Sequence, residues 1–140
     1  RLLFFAALFA SCTSFICAVL AEMMTERIAI MGAHAGLVLT HNPGIAYGIQ
    51  LPSPLQELLI GIALVLILFI AMREAVLPLT QIGFGFVIGG AVANIIDRAF
   101  DGLVTDYIQI ETFYIFNVAD SFITIGAALL FFSALRRKRA

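Results

Sequence analysis

The C-terminal half of the sequence places carboxylate and amide side chains inside stretches that are otherwise apolar. In "YIFNVADSF", Asn117 and Asp120 are three residues apart, and in "GGAVANIIDR", Asn94 and Asp97 have the same spacing. Side chains three residues apart lie on one face of a helix. An ionisable group in the middle of a membrane helix costs about 2.5–3.5 kcal/mol to insert, so groups of this kind require a chemical or structural reason.

One chemistry that such residues support is hydrolysis by a pair of carboxylates. Two close carboxylates do not both ionise easily, so one holds a proton while the other stays charged. The charged one can deprotonate water, and the protonated one can donate to a peptide carbonyl or a leaving amine. Asp97, Asp106 and Asp120 are the candidates, and the residues alone do not choose between Asp97 and Asp106 as the partner of Asp120. Alternatively, these polar residues have a structural role: Asp97 and Arg98 form an ion pair, and the asparagines form hydrogen bonds between neighbouring helices.

The composition indicates a membrane protein. Of 140 residues, 62% are hydrophobic and 12% are charged, and the mean hydropathy is +1.07; a soluble domain is about half apolar and about a quarter charged. A spanning helix needs about 20 mostly apolar residues, and the candidate spans cover about 2–21, 56–72, 76–98 and 112–135. We therefore predict an all-α polytopic membrane protein with four transmembrane helices in one domain, residues 1–140, and a small extracytoplasmic β element.

The basic residues indicate the orientation of these spans. Six of the eight flank ends that share one side, namely Arg1, Arg73, Arg136, Arg137, Lys138 and Arg139. Because cytoplasmic loops are enriched in Lys and Arg, both termini are predicted to be cytoplasmic. The segments 22–56 and 100–111 then face outward, and the three aspartates meet at the outer boundary of the membrane.

The first outward segment contains the predicted β element, at about 34–52. "GLVLT" has strand-forming residues, "HNPG" is a turn signal, and "IAYGI" is suited to a returning strand. His34 and His41 also lie here, without a HExxH helix, so we interpret them as ordinary loop histidines and expect no metal or cofactor. In the third span, Gly85, Gly89 and Ala93 form a stripe of small residues that predicts close helix packing.

Four motifs together resemble the lipoprotein signal peptidases, the type II signal peptidases of bacteria. They are "NPGIAYGI", "GGAVANIIDR", "VTDY" and "FNVADS", in the family's order and rough spacing, each at the predicted outer face. The resemblance covers about residues 36–126 and the four-span layout. It implies an aspartyl endopeptidase of the bacterial cytoplasmic membrane. Such enzymes remove the signal peptide from diacylglyceryl-modified prolipoproteins, cutting just before the lipidated cysteine.

The resemblance also implies roles for individual residues. The family's catalytic pair lies in the "VxD" and "NxAD" motifs, which match Asp106 and Asp120. Substrate-binding or site-supporting roles fall on Asn42, Gly44, Asn94, Asp97, Arg98 and Asn117. The implied partners are prolipoprotein substrates and membrane lipid, with no nucleic acid. A monomer would suffice, because both catalytic residues come from one chain.

Two departures from the family pattern keep other functions open. Family members usually carry an Asp and a Lys four residues apart in the first span, whereas residues 2–21 contain neither, and Ala93 stands where Gly is usual. The alternative is a non-catalytic four-helix membrane protein. It would be either a degenerate homologue that binds precursors without cutting them or a small transporter that uses the aspartates as a proton relay.

Overall fold

Each of the four apolar stretches is a helix in the computed structural model, which describes residues 1–44, 55–111 and 115–137. The helices are α1 (Leu2–Glu22), α2 (Leu55–Glu74), α3 (Pro78–Asp101) and α4 (Val118–Arg137), and the strands are β1 (Ile28–Met31), β2 (Ala35–Asn42) and β3 (Val104–Ile110). The predicted class, a mostly helical fold with a small β element, is confirmed.

Three of these helices are long and apolar enough to cross a membrane: Leu2–Glu22, Pro78–Asp101 and Val118–Arg136. This count covers only the described residues, and α2 as a fourth span remains a prediction. The fourth helix begins at Val118 and not near residue 112, so that boundary was wrong. Before the helix starts, Phe116 pairs with Ile108 in an antiparallel bridge, which holds this part of the chain extended.

Helix α3 lies between α1 and α4, and glycine allows the close approach on both sides. A Cβ atom on Gly85 would lie 2.6 Å from the Cβ of Ala6 in α1, and Gly89 meets α1 one turn further on. On the opposite side, a Cβ atom on Gly90 would lie 2.5 Å from the carbonyl oxygen of Ala119 in α4. The predicted packing through the glycine face of α3 is therefore confirmed, and it extends to a second face.

The β element is a three-stranded antiparallel sheet in the order β1-β2-β3. The strand predicted at "GLVLT" is β2, whereas the returning strand predicted at 45–49 lies outside the described residues. In the described residues β2 pairs with β1 on one side and with β3 on the other, and β3 comes from the segment between α3 and α4 that was predicted as a loop. His41 is paired with Thr105 and Asn42 with Val104, so the end of β2 lies beside Asp106.

A sharp turn joins α3 to β3. Gly102 ends the helix with a φ of +84°, a left-handed conformation that favours glycine, and its N–H donates to the carbonyl of Arg98 at 2.8 Å. The N–H of Leu103 donates to Oδ1 of Asp101 at 2.9 Å. Because the strand begins directly after this turn, Asp106 returns toward the C-terminal end of α3.

Candidate active site

Asp120 is fixed by the way in which α4 begins. The N–H of Asp120 donates to Oδ1 of Asn117 at 2.9 Å, and the N–H of Asn117 donates to Oδ2 of Asp120 at 3.3 Å. This reciprocal arrangement is a capping box, which satisfies N–H groups that a helix leaves unpaired at its start. The spacing of Asn117 and Asp120 therefore has a local structural cause. The first turn of a helix also stabilises a carboxylate charge.

Asp106 lies on β3 and is only 2% exposed. Its Oδ1 accepts a hydrogen bond from Nδ2 of Asn117 at 2.9 Å, and its Oδ2 accepts one from Nδ2 of Asn42 at 2.9 Å. Burial raises the pKa of Asp106 from 3.8 to about 6, and the nearby charge of Asp120 adds to the increase, while the two amide hydrogen bonds oppose it. Asp106 is thus a carboxyl that holds its proton more tightly than an exposed aspartate does.

Two asparagine side chains connect these carboxylates. Besides its bond to Asp106, Nδ2 of Asn117 donates to Oδ1 of Asn94 at 3.1 Å. Nδ2 of Asn94 in turn donates to Oδ1 of Asp120 at 2.9 Å. The amide groups thus orient both carboxylates without carrying a charge of their own.

Asp97 makes a different set of contacts. Its Oδ2 accepts a hydrogen bond from the N–H of Thr105 at 2.6 Å, and its Oδ1 accepts one from Oγ1 of Thr105 at 3.2 Å. These bonds attach the start of β3 to the end of α3. The contacts of Asp97 are those of a residue that holds the strand carrying Asp106 in place.

Arg98 and Gly44 join α3 to the end of β2. Arg98 is buried, and its Nη2 donates to the carbonyl of Gly44 at 2.7 Å. The N–H of Gly44 donates to Oδ1 of Asn42 at 2.9 Å, which orients the Asn42 amide toward Asp106. All of the site residues expected from the sequence therefore lie in one region, at the end of the helices that also carries the sheet.

The sequence interpretation missed Glu22, at the end of α1. Oγ1 of Thr105 lies 3.0 Å from Oε1 of Glu22 and 3.2 Å from Oδ1 of Asp97, so its single proton is shared between the two carboxylates. The same Glu22 oxygen lies 2.9 Å from Nε2 of His41. Glu22 lies one residue beyond the predicted span, 2–21, but inside α1, which ends at this residue. The other histidine, His34, contacts Glu111 at 2.9 Å, and both histidines are thus paired with glutamates.

Comparison with known proteins gives one consistent result. The signal peptidase (SPase) II family matches residues 5–136. A lipoprotein signal peptidase of Caulobacter vibrioides is 39% identical over 101 residues, which are 67% of this chain and 60% of that protein. One of Chlorobium luteolum is 34% identical over 121 residues, 76% of this chain and 72% of that protein. These matches confirm the resemblance carried by the four motifs.

Solved structures agree on the fold. Two structures of a bacterial membrane enzyme superpose on this chain with TM-scores of 0.84 and 0.82, at 24% and 25% sequence identity. They cover 96% and 94% of this chain, and 87% and 90% of their own chains. The arrangement of helices and sheet is therefore shared with a known membrane enzyme.

Proposed function

The chain belongs to the signal peptidase II family, and we propose that it is an aspartyl endopeptidase that removes the signal peptide from diacylglyceryl-modified prolipoproteins. It cuts just before the lipidated cysteine. The observation that carries the proposal is the pair Asp106 and Asp120, which come from different elements and are joined through the Asn117 side chain and backbone. Two interacting carboxyl groups with unlike surroundings are what hydrolysis by an acid and a base requires.

The surroundings of the two carboxyl groups suggest which one is the general acid and which one is the general base. Asp106 is buried and its pKa is raised to about 6, so it takes up a proton more readily than an ordinary aspartate and is assigned as the acid. Asp120, in the first turn of α4, is assigned as the base. The oxygen of a water molecule attacks the scissile carbonyl carbon while Asp120 takes its proton. Asp106 then protonates the leaving nitrogen as the C–N bond breaks, which gives a carboxylate on the signal peptide and a free amine on the cysteine.

The neighbouring polar groups support this chemistry in two ways. Asn94 and Asn117 orient the carboxyl groups, and Asp97 supports the strand that carries Asp106. Arg98, Gly44 and Asn42 form the adjoining surface, where backbone groups of an extended substrate would bind. The region needs no metal or cofactor for a reaction of this type.

The position of the site suggests its place in the cell. The C-terminal ends of α1 and α3, the start of α4 and the sheet all meet at one end of the bundle. We place this end at the outer face of the bacterial cytoplasmic membrane, with both termini cytoplasmic and α2 as the fourth span of one domain, residues 1–140. A lipidated cysteine anchored in the outer leaflet would present its peptide bond at that depth.

The test is cleavage of a diacylglyceryl-modified prolipoprotein by the purified parent and by Asp106→Asn, Asp120→Asn and Asp97→Asn. Loss of an acid or a base typically lowers a rate by about 10²–10⁴-fold, and we expect losses of that size for the first two. Asp97→Asn should keep measurable activity, because an amide oxygen still accepts a bond from Thr105. Asp101→Asn is the matched control, since Asp101 is exposed and bonds only to the adjacent turn in the described structure.

The results separate the proposal from its alternatives. Circular dichroism melts must first show that each variant is folded. If Asp106→Asn and Asp120→Asn are folded and still cut at the parent rate, these two aspartates are not the catalytic groups. A parent that binds the precursor and never cuts it would favour the degenerate homologue.

A further inference from the structure

A small cavity lies between α1, α3 and the start of α4, directly beside the candidate active site. Its volume is about 10 Å³, close to the space that one water molecule requires. The polar part of its wall is formed by Ser14, Asn94, Asp97 and Asn117, and apolar residues line the larger part. The volume fits one water molecule, and the polar side chains of the wall can bond to it.

Ser14 is the residue that draws attention to this cavity. It is 4% exposed, and its hydroxyl has no hydrogen-bond partner among the described residues. Ser11, one turn earlier on the same helix, differs, because its Oγ donates to the carbonyl of Gly89 at 2.9 Å. Buried hydroxyls are nearly always paired, with protein or with ordered water, so the unpaired Ser14 hydroxyl at the cavity wall indicates a ligand.

The other polar groups of the wall can be counted in the same way. Both N–H groups of the Asn117 side chain are used, since they donate to Asp106 and Asn94, and its oxygen accepts from the N–H of Asp120. The Asn94 amide has two N–H groups, and in the described structure only the bond to Asp120 uses one of them.

The last polar wall residue is Asp97. Each of its oxygens accepts at most one bond from Thr105 and has a lone pair left. The wall thus offers a hydroxyl, one N–H donor and a carboxylate acceptor, which is a complete set of partners for water.

We propose that the cavity is the binding site of one resident water molecule. The water accepts a hydrogen bond from Asn94, donates one to Asp97 and bonds with the hydroxyl of Ser14. It thereby links Asp97 to Asn94, which holds Asp120. The site itself does not depend on the proposed function, whereas its effect on catalysis rests on it.

Crystal structures that resolve ordered water test the site directly. The parent and Ser11→Ala should both show density in the cavity, within hydrogen-bonding distance of Asn94 and Asp97, and Ser14→Val should lose it because the added methyl groups occupy the space. A parent structure with ordered water elsewhere around the site but none in the cavity would overturn the proposal. So would equal density in Ser14→Val. The parent structure alone decides the question if Ser14→Val does not fold.

Cleavage kinetics test the link to the active site. Without the water, an N–H of Asn94 and an oxygen of Asp97 lose their partner, so we expect Ser14→Val to lower kcat about tenfold at unchanged KM, the equivalent of about 1.4 kcal/mol. Ser11→Ala, which removes a hydroxyl from the same helix but not from the cavity, should keep the parent kcat. Equal kcat values in the two variants would refute the link. If the parent cuts no prolipoprotein, the proposed function fails, while the crystal structures still decide whether the water is present.

Discussion

The stability of the protein should depend on pH through Asp106, and replacing that residue by asparagine should remove this dependence. Burial raises the pKa of Asp106 from 3.8 to about 6 in the folded state, and in the unfolded chain the group returns to its ordinary value. Between these two pH values the folded state binds one more proton than the unfolded state. Stability contributed by a raised pKa is complete below the unfolded value and is lost as the pH rises through the folded value.

The size of this effect follows from the pKa alone. A change from 3.8 to about 6 corresponds to about 3 kcal/mol over the whole titration, of which about 2.4 kcal/mol should be lost from the free energy of unfolding between about pH 4 and about pH 7. At its steepest, the decrease is about 1.2 kcal/mol per pH unit. Asp106→Asn also places an amide N–H against the donors of Asn42 and Asn117. That cost is the same at every pH, so it shifts the curve of the variant without changing its slope.

Far-UV circular dichroism in detergent is the suitable assay, because the chain has no tryptophan and its helices give a strong signal. Unfolding is measured between pH 4 and 7 for the parent, for Asp106→Asn and for Asp101→Asn, the last as the matched control with an exposed carboxylate. Over this range the parent and the control should lose about 2.4 kcal/mol more stability with rising pH than Asp106→Asn. Equal slopes for the parent and Asp106→Asn would refute the raised pKa and, with it, Asp106 as the proton-holding group.

Three further substitutions test the surroundings of the site. Asn42→Ala removes the hydrogen bond that most opposes the raised pKa of Asp106, so the pH at which stability falls should move upward; a downward movement would contradict the assignment. Thr105→Val keeps the shape of the side chain but loses the hydroxyl bonds to α1 and α3, and it should lower the cleavage rate about tenfold with less change in KM, as steady-state kinetics can show. Gly90→Ala places a methyl group against the start of α4 and should destabilise the protein by about 1–3 kcal/mol in thermal melts. Gly61→Ala, where the added carbon meets nothing within 4 Å, should be neutral or stabilising.

The helices and the candidate site residues could be read from the sequence because both depend on local residue types. The length of an apolar stretch identifies a spanning helix, and amide and carboxylate groups within such a stretch are unusual. Asn94, Asp97, Asn117 and Asp120 are therefore candidates from the sequence, and the structure brings them together. The glycine stripe of α3 could be read in the same way, since small residues at one helical spacing have few other uses in a membrane.

Other features were missed because they depend on contacts between distant segments. "VTDYIQI" lies between two helices and was read as a loop, but it is β3, and it is stabilised as a strand by pairing with β2, more than 60 residues earlier. Glu22 was passed over because its partners, His41 and Thr105, are distant in sequence. The spacing of Asn117 and Asp120 also predicts a capping box, but it was interpreted only as a feature of a possible catalytic site.

The choice between Asp97 and Asp106 shows most clearly what strand pairing adds. Successive side chains of a strand point to opposite faces, and paired residues of neighbouring strands share a face. Thr105 is paired with His41, and both contact Glu22, whereas Asp106 lies on the other face with Asn42. A shift of the pairing by one residue would exchange these faces, turning Asp106 away from Asn42 and Asn117. The register of β2 and β3 thus determines that Asp106 faces Asn42 and Asn117, and this register cannot be read from the spacing of the aspartates along the chain.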